Sequence, residues 1–400
     1  MHTGMLPAAL LVSVAVTVAS HAASFQVTNT LDASLGSLRW AISNANATAG
    51  ADTIICTNLL GRISLESPLP PITGATTILG PGASLLAISG SNLFRVFEIA
   101  GGTTVSITGV TISDGYVTNG GGAGILNAGN LTLIGCAVAG NRSVSVPGGG
   151  LLNRGKLMLV SSELASNIAG GAGIPFGTYT TFGDLRGIGG GLYLESGTVI
   201  ISNCVVIGNQ AIGTWGFLSS GGALGGGVFV QGGQLSITGT TVSGNLAVGG
   251  YGGSDYLLVG RRGANGFGGG ICVQTNAPAA QLMVNCTVSG NRSQGGDGGG
   301  GGHYGGDGGN GYGGGIVAGV SNVSLANCTV YQNIAAGGTG GPGGTVYPYH
   351  SGYPGSGSGA GIYSFPGGVA APAYLVEMSG SGEMRWYPAA DLQGTCRREK

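Results

Sequence analysis

The chain contains 400 residues, of which 88 are glycine and 7% are charged, and its formal net charge is −1. The glycines follow no Gly-X-Y period, which excludes collagen, and Val, Ile and Leu are too frequent for a disordered glycine-rich chain. With so few basic residues, the chain has no face to neutralise a phosphate backbone or attract anionic lipid, so we expect no nucleic-acid partner.

The N-terminus has the features of a signal peptide. Leu6–Ala19 is an apolar stretch of suitable length, and Ser20-His21-Ala22 is a small-x-small cleavage pattern. The alternative is a buried N-terminal helix. No later segment is apolar enough to cross a bilayer. We therefore expect residues 1–22 to be a signal peptide, and the mature chain to be secreted or at the cell surface, associated with the outer membrane and without a transmembrane span.

Residues 25–118 are predicted to form an N-terminal capping segment and the first coils of a solenoid. Within Ser37–Ala47, apolar residues recur at helical spacing, which predicts a short helix covering a sheet edge that would otherwise pair with other chains. These apolar residues are Leu38, Ala41, Ile42 and Ala45. Short strands are predicted after the helix, from Thr53–Cys56 to Val110–Ile112.

Residues 119–364 contain one unit that occurs six times. Each copy opens with two or three glycines, continues with alternating apolar positions and closes with Asn. The copies are Gly120–Asn141, Gly148–Asn167, Gly189–Asn209, Gly225–Asn245, Gly268–Asn291 and Gly313–Asn333. Alternation of apolar and polar residues indicates strands. The units are too short to contain a crossover helix, so they must stack on one another to bury their apolar faces. The predicted fold is all-β, a right-handed parallel β-helix with a short N-terminal capping helix and glycine-rich loop insertions.

The alternation also predicts which side chains face the core. These are Leu131, Leu133, Cys136 and Val138 in the first unit, Val199, Ile201, Cys204 and Val206 in the third, Leu235, Ile237, Thr240 and Val242 in the fourth, and Val323, Leu325, Cys328 and Val330 in the sixth. The fifth unit has one residue fewer between Val284 and Cys286, so we expect its register to adjust at a bend there.

Extra residues lie between each closing Asn and the next glycine cluster. The main insertions are Ile168–Ile188, Leu246–Phe267, Arg292–Tyr312 and Ile334–Ser358. In a solenoid, insertions of this kind map to one side, often the side that binds. Their Gly, Ser, Tyr and Asn content predicts flexible, hydrated loops.

The closing Asn residues are predicted to be structural. Asn tolerates left-handed backbone geometry and bonds to neighbouring backbone, so it can turn the chain at a corner and stack as an amide ladder. The predicted ladder residues are Asn141, Asn167, Asn209, Asn245, Asn291 and Asn333. Only Asn141 and Asn291 are followed by x-Ser, which argues against a general glycosylation role.

Four of the seven cysteines stand five residues before a closing Asn, where Ser162 and Thr240 occupy the other two units. They are Cys136, Cys204, Cys286 and Cys328. The position requires a small inward-facing residue. Side chains on neighbouring coils are about 4.8 Å apart, slightly beyond disulfide range, so we expect a stack of free thiols. The remaining cysteines, Cys56, Cys272 and Cys396, have no evident partner.

The sequence gives little indication of a metal site or a catalytic site. No two cysteines have zinc-ligand spacing, and Gly295–Gly315 lacks the Gly-x-Gly-x-Asp-x-apolar period of calcium-binding repeats. No strand carries paired carboxylates of the kind that glycosidases use. We therefore predict no cofactor, no metal and no catalytic residue.

A carbohydrate-active enzyme, either a polysaccharide lyase or a glycoside hydrolase, is the alternative. It requires acidic side chains from the insertions to converge in one groove beside the Arg261-Arg262 pair. The acidic residues concerned are Asp184, Asp255, Asp297 and Asp307.

The N-terminal motifs resemble a known family. They are Val27-Thr28-Asn29-Thr30, Gly36-Ser37-Leu38-Arg39-Trp40-Ala41-Ile42, Ala51-Asp52-Thr53-Ile54 and Ile78-Leu79-Gly80-Pro81-Gly82-Ala83. They resemble the CSLREA-type segment of bacterial surface β-helix proteins, and the Gly-Gly-Gly…Ser-Gly-Asn units resemble repeats of those proteins and of polymorphic outer-membrane proteins. Gly36 and Trp40 replace the family's Cys and Glu.

The resemblance covers Phe25 to Asn333 and implies a surface protein with no catalytic residues. We expect a non-catalytic secreted or cell-surface protein, adhesin-like or structural, whose partners are a surface polysaccharide or other cell-surface proteins. Residues 365–400 lose the repeat and are expected to form an irregular tail.

Overall fold

The computed structural model describes residues 21–170, 186–215, 220–255, 259–274, 281–319, 323–345, 347 and 349–364, and the backbone of three later strands. The chain is a right-handed parallel β-helix, which confirms the predicted fold. Its strands form five sheets that run along the solenoid. Every strand pairing is parallel except the last one, in which Met384–Tyr387 runs antiparallel to Leu375–Met378.

Two sheets extend through the whole solenoid. Sheet 1 contains, in stacking order, Ser24–Gln26, Ala51–Ile55, Ala75–Leu79, Thr104–Thr108, Asn130–Ile134, Lys156–Val160, Thr198–Ser202, Gln234–Thr238, Gln281–Val284, Val323–Ala326 and Val369–Ala370. Sheet 2 contains Gly61–Ser64, Leu86–Ser89, Thr111–Ser113, Ala137–Ala139, Glu163–Ala165, Val205–Ile207, Thr241–Ser243, Thr287–Ser289, Cys328–Tyr331, Leu375–Met378 and Met384–Tyr387.

Three shorter sheets complete the coils. Sheet 3 contains Phe97–Ile99, Ile125–Asn127, Leu151–Asn153, Leu192–Leu194, Val228–Val230, Ile271–Val273, Ile316–Ala318 and Ile362–Ser364. Sheet 4 contains Tyr116–Val117, Arg142–Ser143, Ile168–Gly170, Gln210–Ile212, Leu246–Val248, Arg292–Gln294 and Ile334–Ala336. Sheet 5, within the insertions, contains Gly187–Ile188, Ala223–Leu224, Gly266–Phe267, Gly311–Tyr312 and Gly357–Ser358.

The core lies inside the coils, between sheets 1, 2 and 3. Strands of sheets 1 and 2 alternate buried and exposed side chains, as period-two geometry requires. All the predicted inward-facing residues of the first, third, fourth and sixth units are buried. Each aliphatic side chain buried in this way contributes about 1.5 to 3 kcal/mol, so the stacked interior supplies the main stabilising term.

The fifth unit does not shift its register, and that expectation is wrong. Ile237 pairs with Met283, and Ser236 pairs with Leu282. Met283 and Gln281 are therefore the inward-facing residues and are buried, whereas Leu282 is 42% exposed on the outer surface. The expectation counts Val284 as inward-facing, but continuous pairing with the preceding coil determines the register and places Val284 opposite the outward-facing Thr238.

The N-terminal cap is a helix over Leu38–Ala47, as predicted, and it is the only helix in the described residues. The Ser37 hydroxyl accepts a hydrogen bond from the Trp40 N–H at 3.2 Å and caps its N-terminus. Its four predicted apolar residues are buried. Arg39 pairs with the buried Asp32 at 2.6 Å and also donates to the carbonyl of Ser67 at 2.7 Å, which fixes the helix to the first coils.

Candidate functional site

The closing Asn residues form a continuous ladder of buried amides along the solenoid. The Nδ2 of Asn167 donates to the Oδ1 of Asn209 at 2.9 Å, and the Asn167 backbone N–H donates to the same oxygen at 3.0 Å. The Nδ2 also donates to the carbonyl of Val138 at 2.8 Å. The same three bonds recur from coil to coil as far as the bonds that join Asn291 to Asn333. The Oδ1 of each amide thereby accepts a hydrogen bond from the backbone N–H of the neighbouring Asn.

The left-handed corner residue is the one before each Asn, which corrects the expectation that Asn itself turns the chain. The six preceding residues have φ between 52° and 67°, and none of the ladder Asn residues has a positive φ. The corner residues are Gly140, Ser166, Gly208, Gly244, Gly290 and Gln332. The corner therefore aims the Asn side chain inward, where its amide is buried.

The position five residues before each closing Asn, which is cysteine in four units, forms a second ladder from coil to coil at another corner. The N–H of Cys136 donates to Ser162 Oγ at 3.1 Å, and the N–H of Ser162 donates to Cys204 Sγ at 3.3 Å. Each small polar atom thus accepts from the N–H of the neighbouring coil. The six described cysteines are free and buried, and Cys396 lies outside the described residues. Burial raises the pKa of Cys56 and of Cys272 to about 12, so neither is an activated nucleophile.

The glycine-rich insertions are ordered, and the expectation of flexible loops is wrong for their described residues. Arg292–Tyr312 runs outward from the solenoid, turns and returns. Within Arg292–Tyr312 the returning Gly306 and Gly309 donate to the carbonyls of Gly299 and Gly296, both at 2.8 Å. The bonded residues recur every third position. This period is that of the extended helix with about 3 residues per turn found in polyproline II.

Neighbouring insertions are bonded to each other with the same period. Gly298 donates to the carbonyl of Thr339 in the next insertion at 2.8 Å, and Gly299 donates to that of Arg261 in the preceding one at 2.9 Å. Each Gly-Gly-x triplet of this outward run therefore donates to the following insertion through its first residue and to the preceding insertion through its second. We call the described residues of Leu246–Phe267, Arg292–Tyr312 and Ile334–Ser358 the glycine bundle.

Close packing explains why the first two triplet positions are glycine. A Cβ on Gly299 would lie 2.1 Å from the carbonyl oxygen of Gly253, and one on Gly298 would lie 1.8 Å from that of Gly306. The third residue, Gly300, has room, since the nearest atom to its Cβ would be Pro342 Cγ at 3.4 Å. In the middle layer, Arg292–Tyr312, side-chain variety within the triplets is therefore confined to the third position.

Polar side chains at third positions satisfy the remaining backbone N–H groups. Asp297 Oδ1 accepts from the N–H of Thr339 at 2.6 Å, and Asp307 Oδ1 accepts from that of Tyr353 at 2.8 Å. Three more third-position residues form a column, in which Asn265 accepts from Asn310 at 2.8 Å and Asn310 accepts from Ser356 at 2.9 Å. These acidic and amide residues therefore hold adjacent layers together.

A second hydrophobic cluster joins the glycine bundle to the outer face of sheet 3. Its buried members are Leu152, Tyr193, Phe229, Cys272 and Val317, and Ile188, Leu224, Phe267, Tyr312 and Tyr363 pack against them. Tyr193 stacks on Phe229 with ring centroids 5.8 Å apart, and Phe267 stacks on Tyr312 at 5.0 Å. The bundle is therefore packed onto the solenoid instead of projecting freely from it.

The acidic residues of the enzyme alternative do not form a common cluster where they are described. Asp297 lies on an outward run and Asp307 on a returning run, and each accepts a different backbone N–H. Asp255 lies in an earlier insertion, opposite Gly301, and Asp184 lies outside the described residues. Among the described residues, no three His, Cys, Asp or Glu side chains come together in a way that could hold a metal ion.

No helix in the described part of the chain is long and apolar enough to span a membrane. No protein-family model matches the sequence, and no curated protein matches it significantly.

Proposed function

We propose that the chain is a non-catalytic exported β-helix protein, adhesin-like or structural, whose glycine bundle presents the binding face. The observation that carries this proposal is the rigid display of third-position side chains on the bundle. The N-terminal motifs that resemble CSLREA-type surface proteins support the same class, as do the signal-peptide features of residues 1–22.

The bundle offers repeated, preorganised contacts. Its backbone is fixed by hydrogen bonds between adjacent layers, so binding requires little ordering of the protein. Equivalent third positions repeat at the spacing of the coils, about 4.8 Å, which suits a polymer that makes several weak contacts along its length. Exposed hydroxyl and aromatic groups, such as Thr339 and Tyr353, suit a surface polysaccharide or the surface of another protein.

A binding experiment with matched variants tests this function. The purified mature chain is applied to arrays of surface polysaccharides and cell-surface proteins and is incubated with pectin, alginate and mucin. We expect binding without depolymerisation. A Thr339→Ala/Tyr353→Ala variant should bind more weakly, whereas Asn130→Ala, an exposed change on sheet 1, should not. Turnover of any of the three polymers, or equal binding by both variants, would overturn the proposal.

Export is tested separately from binding. Sequencing the N-terminus of the protein recovered outside the producing cell should place the first residue after Ala22. Protein retained in the cell with Met1 intact would contradict the proposed localisation.

A further inference from the structure

One buried carboxylate in the first coil lacks a cationic partner. The Asp52 side chain is 1% exposed. Within the residues that the structure describes, no Lys or Arg side chain is paired with it, whereas the buried Asp32 is paired with Arg39. Burying an unpaired carboxylate is costly, because neutral donors replace only part of the hydration that the charge loses. A positive charge beside Asp52 would therefore be strongly favoured.

Both oxygens of Asp52 accept hydrogen bonds from neutral donors. Its Oδ1 accepts from the backbone N–H of Ala23 at 2.7 Å, and its Oδ2 accepts from the hydroxyl of Thr48 at 2.8 Å. Ala23 directly precedes Ser24–Gln26, the first strand of sheet 1, and Thr48 is the C-cap of the helix Leu38–Ala47. The carboxylate therefore joins the first strand of the solenoid to the end of the capping helix.

The end of the capping helix also favours a positive charge. The C-terminus of a helix carries partial negative charge, which a cation complements. The helix Leu38–Ala47 has no basic residue in its last turn, and its C-cap Thr48 bonds instead to the acidic Asp52. A cation at the Ala23 nitrogen would complement the carboxylate directly and offset the negative charge that Asp52 brings to the helix end.

The predicted signal-peptide cleavage creates a cation at this nitrogen. The cleavage pattern is Ser20-His21-Ala22, so hydrolysis after Ala22 makes the Ala23 nitrogen a free α-amino group. An α-amino group is largely protonated at neutral pH. The two residues before Ala23 are exposed, so their removal leaves the core covered. Ser24–Gln26 remains paired with the next strand of sheet 1, which keeps Ala23 in place.

We propose that removal of the signal peptide completes the first coil by forming a buried ion pair between the Ala23 α-ammonium and the Asp52 carboxylate. A signal peptidase adds one water across the Ala22–Ala23 peptide bond, the Ala22 carboxylate leaves with the signal peptide, and the Ala23 ammonium stays. The N-to-O distance of 2.7 Å is already that of a charge-assisted hydrogen bond, so the pair requires no rearrangement.

The uncleaved chain offers Asp52 neutral donors only, so the first coil reaches its full stability after cleavage. The inference rests on the export proposed above and is independent of ligand binding.

Chains with defined N-termini, released from a fusion partner by a site-specific protease, test the pair. One begins at Ala23 and the other at His21, so only the first has an ammonium at the Ala23 nitrogen. Asp52→Asn is made in both chains, and Glu66→Gln, which removes an exposed carboxylate nearby in the sequence, is the matched control. Circular dichroism establishes that all are folded. Amide exchange of Thr53, whose N–H donates to the Ala23 carbonyl at 2.8 Å, reports the stability of the first strand.

We expect Asp52→Asn to reduce the protection of the Thr53 amide by roughly tenfold more in the chain that begins at Ala23 than in the chain that begins at His21. The unsubstituted Ala23 chain should be the better protected of the two, and Glu66→Gln should have the same small effect in both. Equal effects of Asp52→Asn, or better protection in the His21 chain, would overturn the ion pair and leave export untouched. Exported protein whose first residue is not Ala23 would overturn the maturation step, and protein retained with Met1 intact would contradict export itself.

Discussion

Replacing Asn209 with Ala measures how strongly the amide ladder holds neighbouring coils together. The Asn209 side chain is buried and makes four hydrogen bonds. Its Nδ2 donates to the Leu164 carbonyl at 2.8 Å and to Asn245 Oδ1 at 2.9 Å. Its Oδ1 accepts from the backbone N–H and the Nδ2 of Asn167, at 3.0 Å and 2.9 Å. Alanine removes all four bonds and takes away the Oδ1 acceptor of the buried Asn167 N–H.

The expected cost follows from these contacts. An orphaned buried N–H costs about 2 kcal/mol, and the other three bonds contribute about 1 kcal/mol each, so we expect Asn209→Ala to lower the free energy of unfolding by about 4 to 5 kcal/mol. Asn130→Ala, at an exposed position on sheet 1, is the control and should change it by less than about 0.5 kcal/mol.

Urea unfolding followed by circular dichroism gives both values from the shift in midpoint and the slope. Because a solenoid can unfold in sections, amide exchange at Asn167 supplies a local measurement of the same loss. A decrease below about 1 kcal/mol for Asn209→Ala, or equal effects of the two variants, would refute the role assigned to the ladder.

Three further predictions test other parts of the structure. Burial raises the pKa of Cys272 from about 9 to about 12, so the thiol ionises first in the unfolded chain. The free energy of unfolding should therefore fall by about 2 kcal/mol as the pH rises from about 8 to about 10.5. Urea unfolding of Cys272→Ala should show a fall smaller by that amount, and an equal dependence of unfolding free energy on pH in the two proteins would contradict the prediction. Gly299→Ala should destabilise the bundle by about 3 kcal/mol through overpacking, whereas Gly300→Ala should be nearly neutral, and similar urea midpoints would disprove the triplet assignment. Asp32→Ala should lower the free energy of unfolding by about 3 kcal/mol because it leaves Arg39 without its carboxylate. An Asp32→Leu/Arg39→Met double variant should recover much of this loss in thermal unfolding. Equal stability of the two variants would count against the role of the Arg39–Asp32 ion pair.

The solenoid could be predicted from the sequence because its core depends on a local pattern. In Thr104–Thr108 and Gln234–Thr238, alternation of apolar and polar residues coincides with alternation of burial. The pattern failed at Gln281–Val284, where a polar residue faces the core and Leu282 faces outward. There the hydrogen-bonded register of the neighbouring strands outweighs the hydrophobicity of single residues.

The glycine bundle could not be predicted from hydrophobicity, because its stability comes from backbone bonds between layers that are distant in sequence. The bond from Gly298 to Thr339 joins residues of two different insertions. A pattern was nevertheless present, since pairs of glycines recur every third residue in Gly295–Gly302 and again from Gly305 onward. Asp297 and Asp307 suggested chemistry by their charge, but their role as backbone acceptors depends on the layer that follows each of them.

The amide ladder makes the length of this molecule adjustable in whole steps. Asn209 and Asn245 occupy equivalent places and make the same bonds to their neighbours, although different insertions separate them from the adjacent rungs. Excising residues 210–245 would remove one complete coil with its insertion and bring Asn209 beside Asn291, with every type of contact between coils retained. Duplicating the same segment would lengthen the rod by one coil, about 4.8 Å, so a gene that gains or loses one such segment changes the reach of the protein without requiring a new fold.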